Sequence, residues 1–349
     1  IQQWVHVSLE FLTHAVDDAA ILTRRFGELG QWVNIEGNAG DRHRNGRSVS
    51  IVTFSSGLRL VHKPKAMAVD ARFQHLLEWL NQRGATPDFR LMEVLDRGEY
   101  GWTEFIPATP CESKDALQRF YQRQGGYLAL LYVLGASDFH YENLIAAGES
   151  PVLIDLEGLL QPLRSTRRDS GSMESVAYRL FDDSLFRTML LPLRQRAGGE
   201  SAGIDLSGLG TPEGQLTPRK VQAWDDFYTD TMHMVRKRVP VYGAQNQPRF
   251  QAAPADPGQH VEELRAGFRT TYALLARNRD ELLSDSGPLA GFAGAEIRTI
   301  MRPTHFYVTL RNESYHPDLL RDAVERERIL DHLWSIVPGE PHLLEQLHH

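Results

Sequence analysis

The chain of 349 residues contains a single cysteine, Cys111. One thiol excludes internal disulfides and any cysteine-built metal site, and it fits a reducing compartment. No apolar run approaches the ~18 residues that mark a membrane-spanning helix. Positive charge is not in excess: 38 Lys and Arg face 45 Asp and Glu, for a net charge of −7. That balance argues against nucleic acid as a main partner. The opening IQQWVHVSLEFLTHAVDD lacks the charged start and small-residue cleavage site of a signal peptide. A glycine-rich G-x-G-x-x-G phosphate loop, internal repeats and low-complexity tracts are also missing. What is left is ordinary globular chemistry, 42% hydrophobic and 24% charged, with length for one large or two medium domains. The chain starts and stops inside helix-like patterns, which reads as a piece of a longer protein.

The apolar spacing orders the elements. Trp4, Leu9, Leu12, Val16, Ala19 and Leu22 predict one helix over 1–26. A polar loop, GNAGDRHRNGRS, leads to a hairpin, VSIVTF and LRLVHK, around SSG. A helix follows over 68–82, with Asp70 near its start and Gly84 at its stop. FRLMEVL and YGWTEFI read as strands, PATP as a linker, and Ser113 as the cap of a long helix to about Leu134. Beyond Gln161 the pattern is helical, with long Gly/Pro-rich connections. Helices are expected near 260–283 and 294–301 and over HPDLLRDAVERERILDHLWSI. The fold class is α+β: a β-rich part over 1–107, then a mostly helical part over 108–349.

The stretch GASDFHYENLIAAGESPVLIDLEGLL holds five acids among aliphatic runs. Asp155, inside a strand of Val, Ile and Leu, costs roughly several kcal/mol unless a cation neutralises it. A turn at GES returns the chain so that Asp155 comes beside Asn143. A carboxylate and a carboxamide oxygen are hard ligands that suit Mg²⁺ held jointly with nucleotide phosphates. Asp138 could then take the proton of an attacking hydroxyl. Lys63 continues the strand before it, whereas Lys65 follows Pro64 and is expected to point elsewhere. Glu78 is an expected ion-pair partner for the strand lysine, with Asp70 an alternative. Two further clusters stand out: Asp41 and His43 in the polar loop, with Gly46 and Arg47, and Arg298 and Thr304 flanking Pro303. On an unbroken helix six residues would set the last pair ~240° apart, but Pro303 breaks that geometry. Taken singly, Arg298 reads as a surface charge, Thr304 as a helix cap and His43 as a solvated loop residue.

The pattern Asp-x-His-x-x-Asn followed by a strand ending in Asp resembles the catalytic segment of phosphoinositide kinases. Five motifs in order, GDRHRNGRSV, LVHKPKAMAVDARFQHLLEWLN, FYQRQGGYLALLYVLGASDFHYENLI, PVLIDLEGLL and RPTHFY, resemble the dehydratase domain of class II lanthipeptide synthetases. The likeness runs from about residue 4 to the end. It implies a two-lobed kinase-like fold related to lipid kinases, ATP and Mg²⁺ as cofactors, and a bacterial, cytoplasmic setting. The implied reaction is phosphorylation of Ser and Thr in a lanthipeptide precursor, leader plus core, followed by phosphate elimination to dehydroalanine and dehydrobutyrine.

Motif by motif, the resemblance makes Asp138 the base for phosphorylation and His140 the support of a catalytic loop over 138–143. Asn143 and Asp155 would hold the metal, with Glu157 assisting from a metal strand over 151–157. Lys63 would bind phosphate. Asp41, His43, Arg298 and Thr304 would serve elimination, with Lys63 and His43 both open as the group that removes the Cα proton. Full-length synthetases also carry a zinc cyclase. A chain with one cysteine offers no such site, so no zinc is expected and a separate or excised cyclase domain is an expected partner. Two other readings stay open: a phosphotransferase that stops at the phosphate ester, and an inactive peptide-binding fragment.

Overall fold

The structure is a computed structural model. It describes all residues except 38, 41–45, 162–175, 177–179, 196–202, 211, 213, 242, 244, 252, 299–303 and 332–349, and gives only the backbone of 304, 305 and 308. The chain divides into two compact units, Ile1–Arg298 and Thr299–His349. The fold is α+β. Among the described residues no helix is long and apolar enough to cross a membrane.

In the first unit the expected opening helix is two: α1 (Gln2–Asp17) and α2 (Ala19–Phe26). The break falls at Asp18, which is fully buried. Its carboxylate accepts the Trp102 indole N–H at 2.9 Å and lies 2.9 Å from the Arg97 guanidinium. A polar side chain turned inward at that position competes with an unbroken amphipathic stripe.

The strands β1 (Trp32–Glu36), β2 (Ser50–Phe54), β3 (Arg59–Lys63), β4 (Val94–Asp96) and β5 (Gly101–Glu104) form one antiparallel sheet in the order β1-β2-β3-β5-β4. Alternation along β3 sends Leu60 and His62 to one face, against the α1–α2 side with Val52, Phe54 and Trp102. Lys63 points to the other face.

Helix α3 (Ala68–Gln82) follows β3 as expected and buries Phe73, Leu76, Leu77 and Leu80. Helix α4 (Lys114–Val133) starts at Ser113, whose hydroxyl accepts the Ala116 N–H at 3.0 Å. It crosses α5 (Val261–Arg277) at backbone distance. A Cβ on Gly125 would lie 2.0 Å from the Leu264 carbonyl, and one on Gly267 would lie 1.8 Å from the Gln122 carbonyl. Only glycine permits that approach, which seats α4 in the core against Leu274 and Leu275 of α5.

Several expectations about the rest need correction. The helix expected to 283 breaks at Asn278, leaving a separate turn of helix at Arg279–Leu282. Residues 293–298 are not helical, so the helix expected over 294–301 is not formed in its described part. The region after Gln161 is not purely helical: it carries short antiparallel pairs, the longest joining Val221–Asp225 to His233–Lys237. Their two-residue alternation was hidden among turn residues. In the second unit, helices span Thr304–Ser314 and Ala323–Leu330. The stripe from His316 onward therefore starts as turns and becomes helix at Ala323–Leu330; its last residues, from 332, lie outside the described ones.

Candidate active site

After α4 the chain turns at Leu134–Gly135 and enters the segment 137–143. Both sides of that segment are pinned by backbone bonds. The Ser137 N–H donates to the Gly158 carbonyl at 2.9 Å, and the Phe139 N–H to the Thr188 carbonyl at 2.9 Å. Between them Asp138 adopts φ 67°, a left-handed conformation that costs a non-glycine residue roughly 1 kcal/mol and recurs at functional sites. Gly158 allows this suture: a Cβ there would lie 2.0 Å from the Ser137 carbonyl.

His140 then caps the turn Tyr141–Asn143. Its Nδ1 accepts the Glu142 N–H at 3.3 Å, so this nitrogen is unprotonated in the assigned tautomer. His140 also pairs with Ser207 as an isolated antiparallel bridge. It therefore supports the loop through its own backbone and ring.

Strands β6 (Leu144–Ala147) and β7 (Ser150–Leu153) form the expected hairpin. The pairing of Leu144 with Leu153 and the bond from the Ile154 N–H to the Asn143 carbonyl, 3.0 Å, bring Asn143 and Asp155 to the same end. The Asn143 amide donates to the Asp138 carbonyl at 2.8 Å. That leaves its Oδ1 as the atom it can offer a cation. The strand ends at Leu153, however, so Asp155 and Glu157 sit beyond it, Glu157 in a turn rather than on a strand face. The expected metal strand over 151–157 is shorter because Asp155 Oδ1 accepts the Glu157 N–H at 3.1 Å and bends the chain.

The cation that neutralises Asp155 is Lys65. Its ammonium lies 2.8 Å from Asp155 Oδ1 and 3.0 Å from Glu157 Oε1. The expectation that Pro64 would turn Lys65 away is thus overturned: the bend at 64–65 aims it into the site. Lys63, only 7% exposed, instead donates to the Ile154 carbonyl. Glu78 is exposed on α3. The acid facing the lysines is Asp70, 2% exposed, whose Oδ1 has no hydrogen-bond partner among the described residues. Its place in the first turn of α3, two turns before Glu78, puts it at the sheet end of that helix. The second carboxylate oxygen of Glu157 accepts from Arg298 Nη1 at 2.8 Å, and Gln161 donates to the Arg298 carbonyl at 2.6 Å.

The electrostatics follow from this packing. Burial would raise Asp155, but the ammonium groups of Lys65 and Lys63 outweigh it and hold the carboxyl down at about 2. Burial and Asp155 push Glu157 up, yet Lys65 and Arg298 bring it below its ordinary value. Burial lowers Lys63 despite Asp70, Asp155 and Glu157, and Lys65 adds to the fall. Burial also acts to lower Lys65, but Asp155, Asp70 and Glu157 together raise it. Burial raises Asp70 and Asp138; in Asp138 the charges of His140 and Arg298 oppose it. Among the described residues neither of these two raised carboxyls makes an ion-pair contact.

The structure thus gathers Lys63, Asp138, His140, Asn143, Asp155, Glu157 and Arg298 around one hairpin. Asp41 and His43 lie outside the described residues. Arg47, among the described residues that follow them, forks onto the Glu10 carboxylate at 2.8 and 2.9 Å. Thr304 is the first residue of its helix and belongs to the second unit; its side chain is not described. Sequence reasoning set Lys65 aside as pointing elsewhere and gave Asp70 only as an alternative to Glu78. The signal for Lys65 was present in the second lysine of HKPK, and for Asp70 in an acid on the apolar side of α3 beside Phe73 and Leu77.

Fold and site together define an α+β domain that sets acids and cations against each other at the mouth of one hairpin. The family described as "Domain of unknown function (DUF4135)" matches residues 1–349, and the chain belongs to that family. "Lacticin 481/lactococcin biosynthesis protein LcnDR2" of Lactococcus lactis subsp. lactis is 26% identical over 340 residues, which cover 93% of this chain and 35% of that protein. The chain thus spans about a third of the length of the curated relative it matches. These matches agree with the resemblance to a lanthipeptide synthetase domain that the motifs carry.

Proposed function

We propose that the chain dehydrates Ser and Thr of a lanthipeptide precursor in an ATP-dependent reaction, by phosphorylation followed by phosphate elimination. The observation that carries the reading is the convergence of Asp138, Asn143 and Asp155 at one hairpin end beside the buried Lys63 and the half-buried Lys65. The similarity to a lacticin 481 biosynthesis protein supports the precursor peptide as substrate. In this reading 1–107 is the nucleotide-side lobe of a kinase-like arrangement and 108–349 carries the catalytic loop. Ring closure is left to a separate cyclase domain.

The residues present fit magnesium. Asp155 stays ionised above about pH 2, Asn143 offers an amide oxygen, and Glu157 shares the Lys65 ammonium with Asp155. Among the described residues no three His, Cys, Asp or Glu side chains group as a metal cage. That donor set suits Mg²⁺, which takes one or two carboxylates and completes its shell with water and phosphate. Bound magnesium supplies positive charge against the phosphate oxygens of ATP.

The chain's own groups then act in order. Asp138, close to the Asn143 amide, accepts the proton of the Ser or Thr hydroxyl as its oxygen bonds to the γ-phosphorus and the bond to ADP breaks. In the second step the Cα proton leaves to a base, the Cβ–oxygen bond breaks, and inorganic phosphate departs. Arg298 grips phosphate oxygens in a fork. His43, tuned by Asp41, and Thr304 exchange protons with the leaving group, and Lys63 or His43 takes the Cα proton.

The test is incubation of the purified chain with ATP, Mg²⁺ and a Ser/Thr-rich leader-bearing peptide, read by mass. Each dehydrated site loses about 18 Da, and each phosphorylated but unreacted site gains about 80 Da. Accumulation of the heavier species alone would reduce the function to a phosphotransferase. An unchanged peptide would remove it.

A further inference from the structure

Two lysines two residues apart end β3 in different circumstances. Lys63 is held at the backbone: it donates to the Ile154 carbonyl and ties the sheet to the segment after β7. Among the described residues Lys65 has no such backbone acceptor. Its partners are two carboxylates, Asp155 Oδ1 at 2.8 Å and Glu157 Oε1 at 3.0 Å. It therefore stands against the carboxylate that the function above gives to a divalent ion.

Lys65 and a divalent ion would compete for one carboxylate. Asp155 Oδ1 already accepts from Lys65 at 2.8 Å, and Lys63 and Arg298 add positive charge around it. A divalent ion on Asp155 would repel an ammonium bound to the same side chain. Glu157 can release Lys65 without being left unpaired, because its other oxygen is held by Arg298 at 2.8 Å. Lys65 has a flexible four-carbon stem, and its side chain is 17% exposed, so its head can move towards solvent in the site. An incoming nucleotide brings phosphate oxygens, the acceptors for a displaced ammonium.

We propose that Lys65 is a partner-switching positioning residue: it bridges Asp155 and Glu157 in the free protein and moves to the phosphate oxygens when a metal–nucleotide complex binds. The inference rests on the reading above that Asp155 faces metal and nucleotide. In the free state Lys65 holds both carboxylates ionised and in place, and it withholds them from metal alone. In the loaded state the same charge adds to the grip on phosphate. Metal and nucleotide are thereby taken together rather than in succession.

This gives a signature that a purely structural lysine would not produce: the two affinities shift in opposite directions. The probe is Mn²⁺, whose free fraction is counted by electron paramagnetic resonance. It is used alone and with a non-hydrolysable ATP analogue, on the whole chain and its Lys65→Met and Lys65→Arg variants. Lys65→Met is expected to bind Mn²⁺ alone about threefold or more tighter, since a competing charge is gone. It is expected to bind the Mn²⁺–nucleotide complex about tenfold weaker, since a charge-assisted contact is gone. Lys65→Arg keeps the charge and is expected to stay close to the parent in both. Thermal melts check folding, and Lys65→Gln gives the same comparison if the methionine variant does not fold. Affinities that fall together, or a Mn²⁺ affinity that does not rise, overturn the switch while leaving the site intact. A parent protein that binds no metal–nucleotide complex, or whose Mn²⁺ binding survives Asp155→Asn unchanged, overturns the reading beneath it as well.

Discussion

Two neighbouring residues on β3 show opposite ways of burying a titratable group. His62 enters an aromatic nest with Phe11, Tyr100 and Trp102, and its Nε2 lies 3.1 Å from His14 Nδ1. Burial and the proximity of His14 push it down to about 3, so His62 is neutral. On the opposite face Lys63 donates to the Ile154 carbonyl, and Lys65, just past the strand, pairs with the Asp155 and Glu157 carboxylates, which raise it against burial. Neutralising a buried group needs only an apolar nest. Keeping it charged needs partners recruited from a hairpin some 90 positions away. Such buried ion pairs add little net stability over apolar packing. In the proposed function the face that holds them carries the chemistry.

The contrast can be broken on its charged side most strongly. Asp138→Asn is expected to lower both mass changes by roughly 10²–10⁴-fold, the usual worth of a positioned base. The urea midpoint should stay near the parent's; a matching loss of stability would turn Asp138 into a folding residue. Next in size, Gly158→Ala places a methyl against the Ser137 carbonyl, where the gap is 2.0 Å. An unfolding cost of about 2–4 kcal/mol is expected from the forced shift of the suture, read by denaturant titration.

The neutral side is sharpened by pH. The unfolded imidazole of His62 takes its proton near 6.5 and the folded one near 3. Between those values the unfolded chain holds the extra proton, so stability is complete above 6.5 and falls as pH drops through the window. His14, also lowered by burial, acts in the same direction. The slope from His62 approaches about 1.4 kcal/mol per pH unit at most. His62→Phe should remove that share between pH 6.5 and 5, above the carboxylate range; an unaltered slope would put the acid sensitivity elsewhere. The smallest effect is expected at the fork of Arg47 on Glu10, whose side chains are about a quarter exposed. Glu10→Gln should cost about 0.5–1 kcal/mol and less at high salt, by thermal melts at two ionic strengths.

Much of this was legible in the chain itself. Helix α3, the Ser113 cap and the hairpin after α4 follow from strong periodicity and turn chemistry, so local signals sufficed. The elements that differed were decided by distant contacts. Asp18 broke the first helix because Trp102 and Arg97, some 80 residues on, claimed its side chain. The strands between 194 and 254 are short and flanked by Gly and Pro, which leaves no window in which alternation stands out. In the site, Asp138, Asn143 and Asp155 could be read from one contiguous stretch. Lys65 could not, because Pro64 fixes only its own φ and says nothing about which way the following side chain turns.

Cys111 offers a practical way to watch the hairpin. Its thiol is buried, donates to the Gly148 carbonyl at 3.2 Å, and is pushed up to about 11 by burial and by Glu149. Thr109 pairs with Ala147 alongside it. A thiol reagent therefore finds no thiolate in the closed protein, and labelling proceeds only when the strand segment before α4 parts from the β6–β7 turn. As the chain's sole sulfhydryl, it makes labelling rate a native stopwatch for that opening, with no engineered reporter needed.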